Sequence, residues 1–253
     1  MKINELQTYL TQILQPERFS DYCPNGLQVE GKQEIRKIVT GVTASMALLQ
    51  AAHKGGADAI LVHHGYFWRG ENQAITGIKK RRIQFLLQHD INLFAYHLPL
   101  DAHLEIGNNV MLGKVLGLTI AGYLDDKNML PWAELKTPQS LQMFANYLQN
   151  KLGRAPQIVG DLNMPIKTVA WCTGGAQGYI EQVIAAKKDN FNVDVYISGE
   201  ISEQTVHSAR ESDTSYIAAG HHVTERYGIQ ALGEHLAKKF DLIHEFIDID
   251  NPV

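Results

Sequence analysis

The chain alternates short apolar runs with amphipathic stretches, the pattern of strands interleaved with helices in an α/β protein. At the start, MKINELQTYLTQILQ puts Ile3, Leu6, Leu10 and Leu14 at helical spacing. KIVTGVT (37–43) is rich in β-branched residues and predicts a strand, followed by the helix SMALLQAAHKGG, closed by Gly55 and Gly56. ADAILV predicts the next strand, IKKRRIQFLLQHD a helix, NLFAY a third strand and NNVMLGKVLG another helix. The basic run from Lys79 to Arg82 opens the second of these helices and reads as a solvated face.

The second half of the chain repeats that order. KTVAWCT (167–173) matches KIVTGVT, the helix GYIEQVIAAKK follows, and VDVYIS (193–198) matches ADAILV. SEQTVHSARES predicts a helix, SYIAAG a strand and YGIQALGEHLAKKF the closing helix. The expectation is an α/β protein of two similar halves with mixed sheets, residues 1–126 and 166–253. Residues 127–165 would form a connecting segment with one helix beginning near Thr137-Pro138.

Composition narrows the class without changing it. The 253 residues, 45% apolar and 20% charged, supply enough material for a sizeable core. A formal net charge of −4 gives no electrostatic case for a nucleic-acid partner. Cys23 and Cys172 form no CxxC pair and suggest a reducing compartment. With no basic start leading into an apolar signal segment, and no run near the roughly 18 apolar residues of a membrane span, the expectation is a soluble cytoplasmic protein.

The chemistry sits where the predicted strands end. ILVHHG carries His63 and His64; NLFAY runs into His97 and Asp101 (HLPLD); SYIAAG runs into His221 and Glu225 (HHVTE). Both halves thus present His-x-x-x-carboxylate at the same place in the repeated order. Aligning ADAILVHHG with VDVYISGE also sets His64 opposite Glu200. Imidazole and carboxylate together suit Zn, Fe, Mn, Ni or Co, whereas calcium and magnesium favour oxygen alone. His63, His64, Asp101, His221 and Glu225 exceed the needs of one hydrolytic metal with an open position, and suit two divalent ions roughly 3.5–4 Å apart. Successive strand residues point to opposite faces, so Gly65 is read as the turn that frees both rings of the His63–His64 pair to face one cleft.

These motifs, with DYCPNGLQVEG near the start, CTGG and SGEISEQ, together resemble the GTP cyclohydrolase I type 2 homologues, the NIF-three-like family. The likeness runs over almost the whole chain and fits the short form, without an inserted middle domain. The resemblance implies a dinuclear metal site of His63, His64, Asp101, His221 and Glu225 in the cleft between two similar α/β domains. It also implies a ring-shaped homohexamer assembled from dimers, and hydrolysis of a nucleotide-like substrate.

The other candidates keep two readings each. His97 is a proton carrier or partner beside the metals, or a packed polar residue. Glu200 accepts a hydrogen bond from a ligand, acts as a base, or caps the following helix. In CTGGAQG (172–178) the backbone amides hold an anion, or the glycines only serve a tight turn. Tyr66, Phe67 and Trp68 stack on a flat substrate ring or pack a subunit interface. Cys172 reads as a small buried residue, His222 as a non-ligand beside His221, and His53, His89, His103, His207, His235 and His244 receive no role. Two function classes remain: a metal-dependent hydrolase acting on a nucleotide-like small molecule, and a metal-stabilised ring that binds or scaffolds partners without significant catalysis.

Overall fold

Runs of β-branched and aromatic residues form the strands, and the chain sorts them into two sheets. The computed structural model describes residues 1–187 and 191–253. Lys188, the last residue of the helix expected at GYIEQVIAAKK, lies outside the described residues. The chain divides into unit 1, Met1–Gly107 with Gly228–Asp250, and unit 2, Asn108–Tyr227 with Asn251–Val253.

Unit 1 begins with α1 (Ile3–Leu14), β1 (Gly26–Val29), β2 (Lys37–Thr43), α2 (Met46–Lys54), β3 (Ala59–His64), α3 (Gly77–Gln88), β4 (Asn92–Ala95) and the short α4 (Leu98–Asp101). Unit 2 holds α5 (Asn108–Val115), β5 (Gly122–Tyr123), β6 (Pro131–Ser140), α6 (Leu141–Leu152), β7 (Gln157–Val159), β8 (Pro165–Trp171), α7 (Ile180–Ala185), β9 (Val195–Ser198), α8 (Glu203–Ser212) and β10 (Ser215–Ala218). Helix α9 (His221–Phe240) and strand β11 (Ile243–Phe246) complete the chain.

In unit 1 the sheet order is β1-β4-β3-β2-β11, with β11, β2, β3 and β4 parallel and β1 antiparallel at the edge. In unit 2 the order is β5-β6-β8-β9-β10-β7, with β8, β9 and β10 parallel and the flanking strands antiparallel. Both sheets are mixed, and within each the repeated order is visible: β2-α2-β3-α3-β4 in unit 1 and β8-α7-β9-α8-β10 in unit 2. The inner parallel strands β2, β3, β4, β9 and β10 are buried on both faces and accordingly read as near-continuous apolar runs. Leu6, Leu10, Ile38, Leu61, Phe94 and Leu232 share one core of unit 1; Val39, Leu48, Ile60 and Leu93 share another, on the other face of the strands. In unit 2 the core gathers Phe144, Leu148, Val169, Trp171, Val195 and Ile217.

Four expectations are corrected. The division does not fall at 126 and 165, because β11 pairs in parallel with β2, and Gly228–Asp250 belong to unit 1. Residues 127–165 are more than a connection, since they supply β6, α6 and β7 to unit 2. Its helix starts after Ser140, whose hydroxyl accepts the Met143 N–H at 3.2 Å, and not near Pro138. Pro138 lies in β6 where the pairing with β8 shifts register between Glu134 and Gln139, the kind of irregularity that tolerates a missing donor. Finally, α9 starts at His221, so HHVTE forms its first turns and does not precede it.

One aspartate ties the parallel strands together in each unit. Asp58, just before β3, accepts the N–H groups of Arg36 and Lys37 at 2.9 and 3.0 Å, where β2 begins. Asp194, just before β9, accepts those of Lys167 and Thr168 at 2.7 and 2.8 Å. Burial alone would raise the Asp58 carboxyl, but the bond to Lys32 and the two backbone amides outweigh it and hold it below its ordinary value.

Asp58→Ala leaves those strand-entry amides without their acceptor. The unfolding free energy should fall by about 1–3 kcal/mol, read by urea denaturation. A loss under about 0.5 kcal/mol, typical of an indifferent surface site, would show that the contact carries no weight. Because the folded-state pKa is depressed, the contribution is present above the unfolded pKa of about 3.9 and fades as pH falls through the folded value.

Candidate metal centre

Each unit carries imidazole and carboxylate groups just beyond the carboxyl ends of its parallel strands, where ligands of open α/β sheets gather. In unit 1, His63 and His64 are the last two residues of β3. His63 is fully buried, and the two ring centroids lie 4.6 Å apart. Gly65 ends the strand, and its role is close approach: a Cβ there would stand 2.3 Å from Gln28 Oε1 and 2.6 Å from Ala95 Cβ. Gln28 uses that space to fasten the turn, accepting the Tyr66 N–H at 2.7 Å and donating to the Tyr66 carbonyl at 3.1 Å.

The protonation of His63 follows from its partner. Its Nδ1 lies 3.0 Å from the Tyr96 carbonyl, which can only accept, so Nδ1 carries a hydrogen. Its Nε2 faces Asp101 Oδ1 at 3.5 Å. Two ligands on one tetrahedral metal with bonds near 2.0–2.1 Å stand roughly 3.4 Å apart, so this spacing fits. His64 Nδ1 meets Thr43 Oγ1 at 3.1 Å. Asp101 closes α4 and is buried, 4% exposed. His97, the residue before α4, lies 5.0 Å from the His63 ring and 5.8 Å from the His64 ring. One nitrogen from each of His63, His64 and His97 lies within 4.8 Å of the others.

Unit 2 builds its group on the first turns of α9, where His221 and Glu225 share a face one turn apart. His221 Nε2 lies 3.0 Å from Glu225 Oε2, and its Nδ1 lies 2.7 Å from Glu200 Oε1. Glu200, following β9, therefore stands behind the ring, in the place of a carboxylate that orients a ligating histidine. Burial alone would lower the His221 pKa, but Glu225 and then Glu200 outweigh it, and together the terms push it up to about 9. Glu225 is 3% exposed and fits only because residue 174 has no side chain. A Cβ on Gly174 (φ +68°) would lie 1.8 Å from Glu225 Oε1 and 3.1 Å from His221 Nε2. The Gly174 N–H donates to Thr224 Oγ1 at 3.0 Å, and its carbonyl accepts the Gly199 N–H at 2.8 Å. This glycine of CTGGAQG is thus committed to seating the carboxylate, which favours the packing reading of that stretch over an anion site.

The remaining candidates separate clearly. Tyr66 belongs to the core, with its hydroxyl donating to the Ala44 carbonyl at 2.9 Å. Trp68 stands beside the imidazoles, its ring centroid 5.0 Å from His97 and 5.8 Å from His64. Cys172 is buried and its N–H continues the β8–β9 pairing to the Ile197 carbonyl. His222 is buried with its backbone N–H on the Val253 carbonyl. His53 and His89 stack on each other, His235 meets Tyr9, and His244 meets Thr40. Sequence reasoning missed Asp21, which lies 2.7 Å from His97 Nδ1, and Thr43 behind His64. Asp21 opens the quoted stretch DYCPN, but nothing local tied it to a histidine 76 positions away.

Imidazoles held at Nδ1 beside buried carboxylates are a donor set that fits a divalent transition metal. Comparisons with known proteins give the chain its relatives. The family described as Duf34/NIF3 (NGG1p interacting factor 3) matches residues 1–252. A Pseudomonas aeruginosa protein named GTP cyclohydrolase 1 type 2 homolog is 55% identical over 242 residues, 94% of each chain. An Escherichia coli K12 protein of the same name is 51% identical over 253 residues, 100% of each. The solved structure of protein ybgI, described as of unknown function, superposes with a TM-score of 0.94 at 50% identity and covers 100% of both chains.

Two outcomes follow from unit 2. In metal-free protein the His221 imidazolium should persist to about pH 9, read by NMR titration of the ring, and Glu200→Gln should bring the midpoint down. With a raised folded-state pKa, the stabilisation from this proton is complete below the ordinary value of about 6.5 and is lost as pH rises through about 9. A midpoint unmoved by Glu200→Gln would contradict the assignment. Gly174→Ala should displace the Glu225 carboxylate and weaken zinc binding at least about 10-fold, the scale of a disturbed ligand environment, measured by competition with a chromophoric chelator. Unchanged affinity would mean that Glu225 needs no such seat.

Proposed function

The chain belongs to the Duf34/NIF3 family, and from that premise we propose that it binds two divalent metal ions, drawn from Zn, Fe, Mn, Ni or Co, and is a metal-dependent hydrolase of a nucleotide-like substrate. His63, His64, Asp101, His221 and Glu225 are the proposed protein ligands. The observation that supports this most is the engagement of each ligating imidazole at Nδ1, by Tyr96, Thr43 and Glu200, with Nε2 of His63 and of His221 directed at the carboxylates of Asp101 and Glu225. The relatives' shared name, GTP cyclohydrolase 1 type 2 homolog, supports a purine nucleotide as the substrate class. Opening the imidazole ring of a purine is hydrolysis at an amidine-like carbon, and what the bound ions supply to it is acidification of a water and polarisation of the substrate. The protein's own part is to hold those groups still. Glu200 fixes the His221 ring, and Trp68 offers a flat apolar face beside His64 and His97 on which a base can lie.

A second reading, a metal-stabilised scaffold without significant turnover, draws support from the family's description as an interacting factor. Under either reading we propose a homohexamer assembled from dimers. Ile75, Ile78 and Leu87 in and beside α3 are more than half exposed and suit a subunit contact. Among the described residues no helix is long and apolar enough to cross a membrane, and a cytoplasmic location is proposed with the hexamer.

Elemental analysis of gently purified protein should give two divalent ions per chain, falling in Asp101→Ala. Incubation of the loaded protein with a nucleotide panel, followed by mass spectrometry, should reveal a ring-opened or hydrolysed product that Asp101→Ala does not form. One ion that survives His63→Ala and Glu225→Ala together would sink the dinuclear reading, whereas two ions without turnover would favour the scaffold. Light scattering should give about six times the mass of a single chain, and a monomer would refute the ring.

A further inference from the structure

Asp21 stands in the irregular segment before β1 and is the only acidic residue of DYCPNGLQV. Its side chain is 4% exposed, and its two oxygens meet hydrogen-bond donors on every side. Oδ1 accepts the Tyr22 N–H at 2.6 Å and lies 2.7 Å from His97 Nδ1. Oδ2 accepts the Leu98 N–H at 3.0 Å and the Asn25 side-chain amide at 2.8 Å. A carboxylate is the one side chain that can satisfy such a set, because it accepts through both oxygens and donates through neither. The His97 end is closed by the same residues, since Asn25 Oδ1 accepts the His97 backbone N–H at 2.8 Å. Tyr22 and Trp68 meet the His97 ring edge-on or nearly so, at 6.3 and 5.0 Å between centroids.

Unit 2 holds the same device. His221 has a carboxylate at Nδ1 at the same 2.7 Å, and Glu225 four residues on, as His97 has Asp21 at Nδ1 and Asp101 four residues on. In His221 the pinned Nδ1 turns Nε2 to the Glu225 carboxylate. In His97 the ring lies 5.0 Å from that of His63 and 5.8 Å from that of His64, and one of its nitrogens is within 4.8 Å of a nitrogen of each.

We propose that Asp21 is a positioning residue: its carboxylate holds His97 in the tautomer protonated at Nδ1, so that Nε2 is a hydrogen-bond acceptor for the O–H or N–H of a molecule bound beside His63 and His64. The molecule's class, water or a nucleotide-like substrate, rests on the metal reading of those two residues; the tautomer does not. Burial raises the Asp21 carboxyl, but the hydrogen bonds from His97, Asn25 and Tyr22 pull the other way and the net shift is downward, as an ionised acceptor requires. Cys23 also comes within 4.8 Å of Asp21 and His97, and burial and the Asp21 charge push its thiol up to about 12.

Long-range proton–nitrogen NMR of the imidazoles tests this in the full-length protein, metal-free and with added zinc. Wild type should show His97 protonated at Nδ1 with a lone pair on Nε2. Asp21→Asn, which must turn an amide donor toward either Nδ1 or the Leu98 N–H, should lose that single tautomer. On zinc addition the His63 and His64 nitrogens should move to metal-bound positions while His97 Nε2 keeps its lone-pair signature. A His97 protonated at Nε2 in wild type, or a tautomer unchanged in Asp21→Asn, overturns the proposal, and the wild-type spectrum decides even if the variant fails to fold. A His97 Nε2 that moves to a metal-bound position also overturns it, by making His97 a ligand. Zinc that leaves His63 and His64 unmoved defeats the metal reading instead, with the tautomer still readable.

Discussion

An imidazole offers one nitrogen only after the other has been committed, and that constraint organises the chemistry of this chain. His63 is committed by a backbone carbonyl, His64 by a threonine hydroxyl, His97 by Asp21 and His221 by Glu200, in each case at Nδ1. The partners differ in strength. The Tyr96 carbonyl offers its ring no charge, whereas Asp21 and Glu200 are carboxylates, and Glu200 helps Glu225 to raise the His221 pKa. Thr43, Tyr96 and Glu200 lie at or just beyond the end of a strand, so for those three rings the sheet's register decides which nitrogen is presented. Tyr96 directly follows β4, and its N–H continues the pairing to the Val62 carbonyl beside His63. A slip of that register would release the His63 ring along with the strand.

The same economy appears in the backbone. Asp58 and Asp194 each receive two amides at the entry of a parallel strand, and each accepts at its own carbonyl the N–H that opens the next strand, Asn92 and Ser215. One residue, through its side chain and its backbone carbonyl, thus sets the alignment of three neighbouring strands, and the carboxyl ends on which the histidines ride are aligned with them. The repeat is therefore more than a shared order of elements: it reuses one local solution for starting a parallel sheet and another for pinning an imidazole.

Much of this was legible because it is local. The strands from β-branched runs, the helices from apolar spacing, and the His-x-x-x-carboxylate pairs all lie within a few residues of each other. What was not legible depends on partners far along the chain. Nothing in IHEF announces that it will pair with KIVTGVT, so the end of the chain was assigned to the second half and not to unit 1. Pro138 reads as a helix start from its neighbours, and only the partner strand shows it tolerated in an irregular β6. The reason for Gly174 is Glu225, 51 positions on by number, and a glycine pair in a turn looks the same with or without a carboxylate above it. Asp21 is the same case in a stretch whose motif could be quoted but whose role depended on His97.

Burial turns these placements into a demand for positive charge. Glu225 and Asp101 are almost wholly shielded from water, and a buried carboxylate is tolerated only when paired with a cation or with several donors. In unit 2 the nearest answer is a proton on His221, which explains why two carboxylates hold that ring charged well above its ordinary range. A proton and a divalent ion are alternatives at Nε2, since both need the same lone pair. Under the proposed metal reading, uptake there would release the proton, so apparent affinity would rise with pH until about 9 and flatten beyond it. Glu200 would act in opposite directions on the two: it strengthens the hold of His221 on its proton, yet it would also make the deprotonated ring a better ligand.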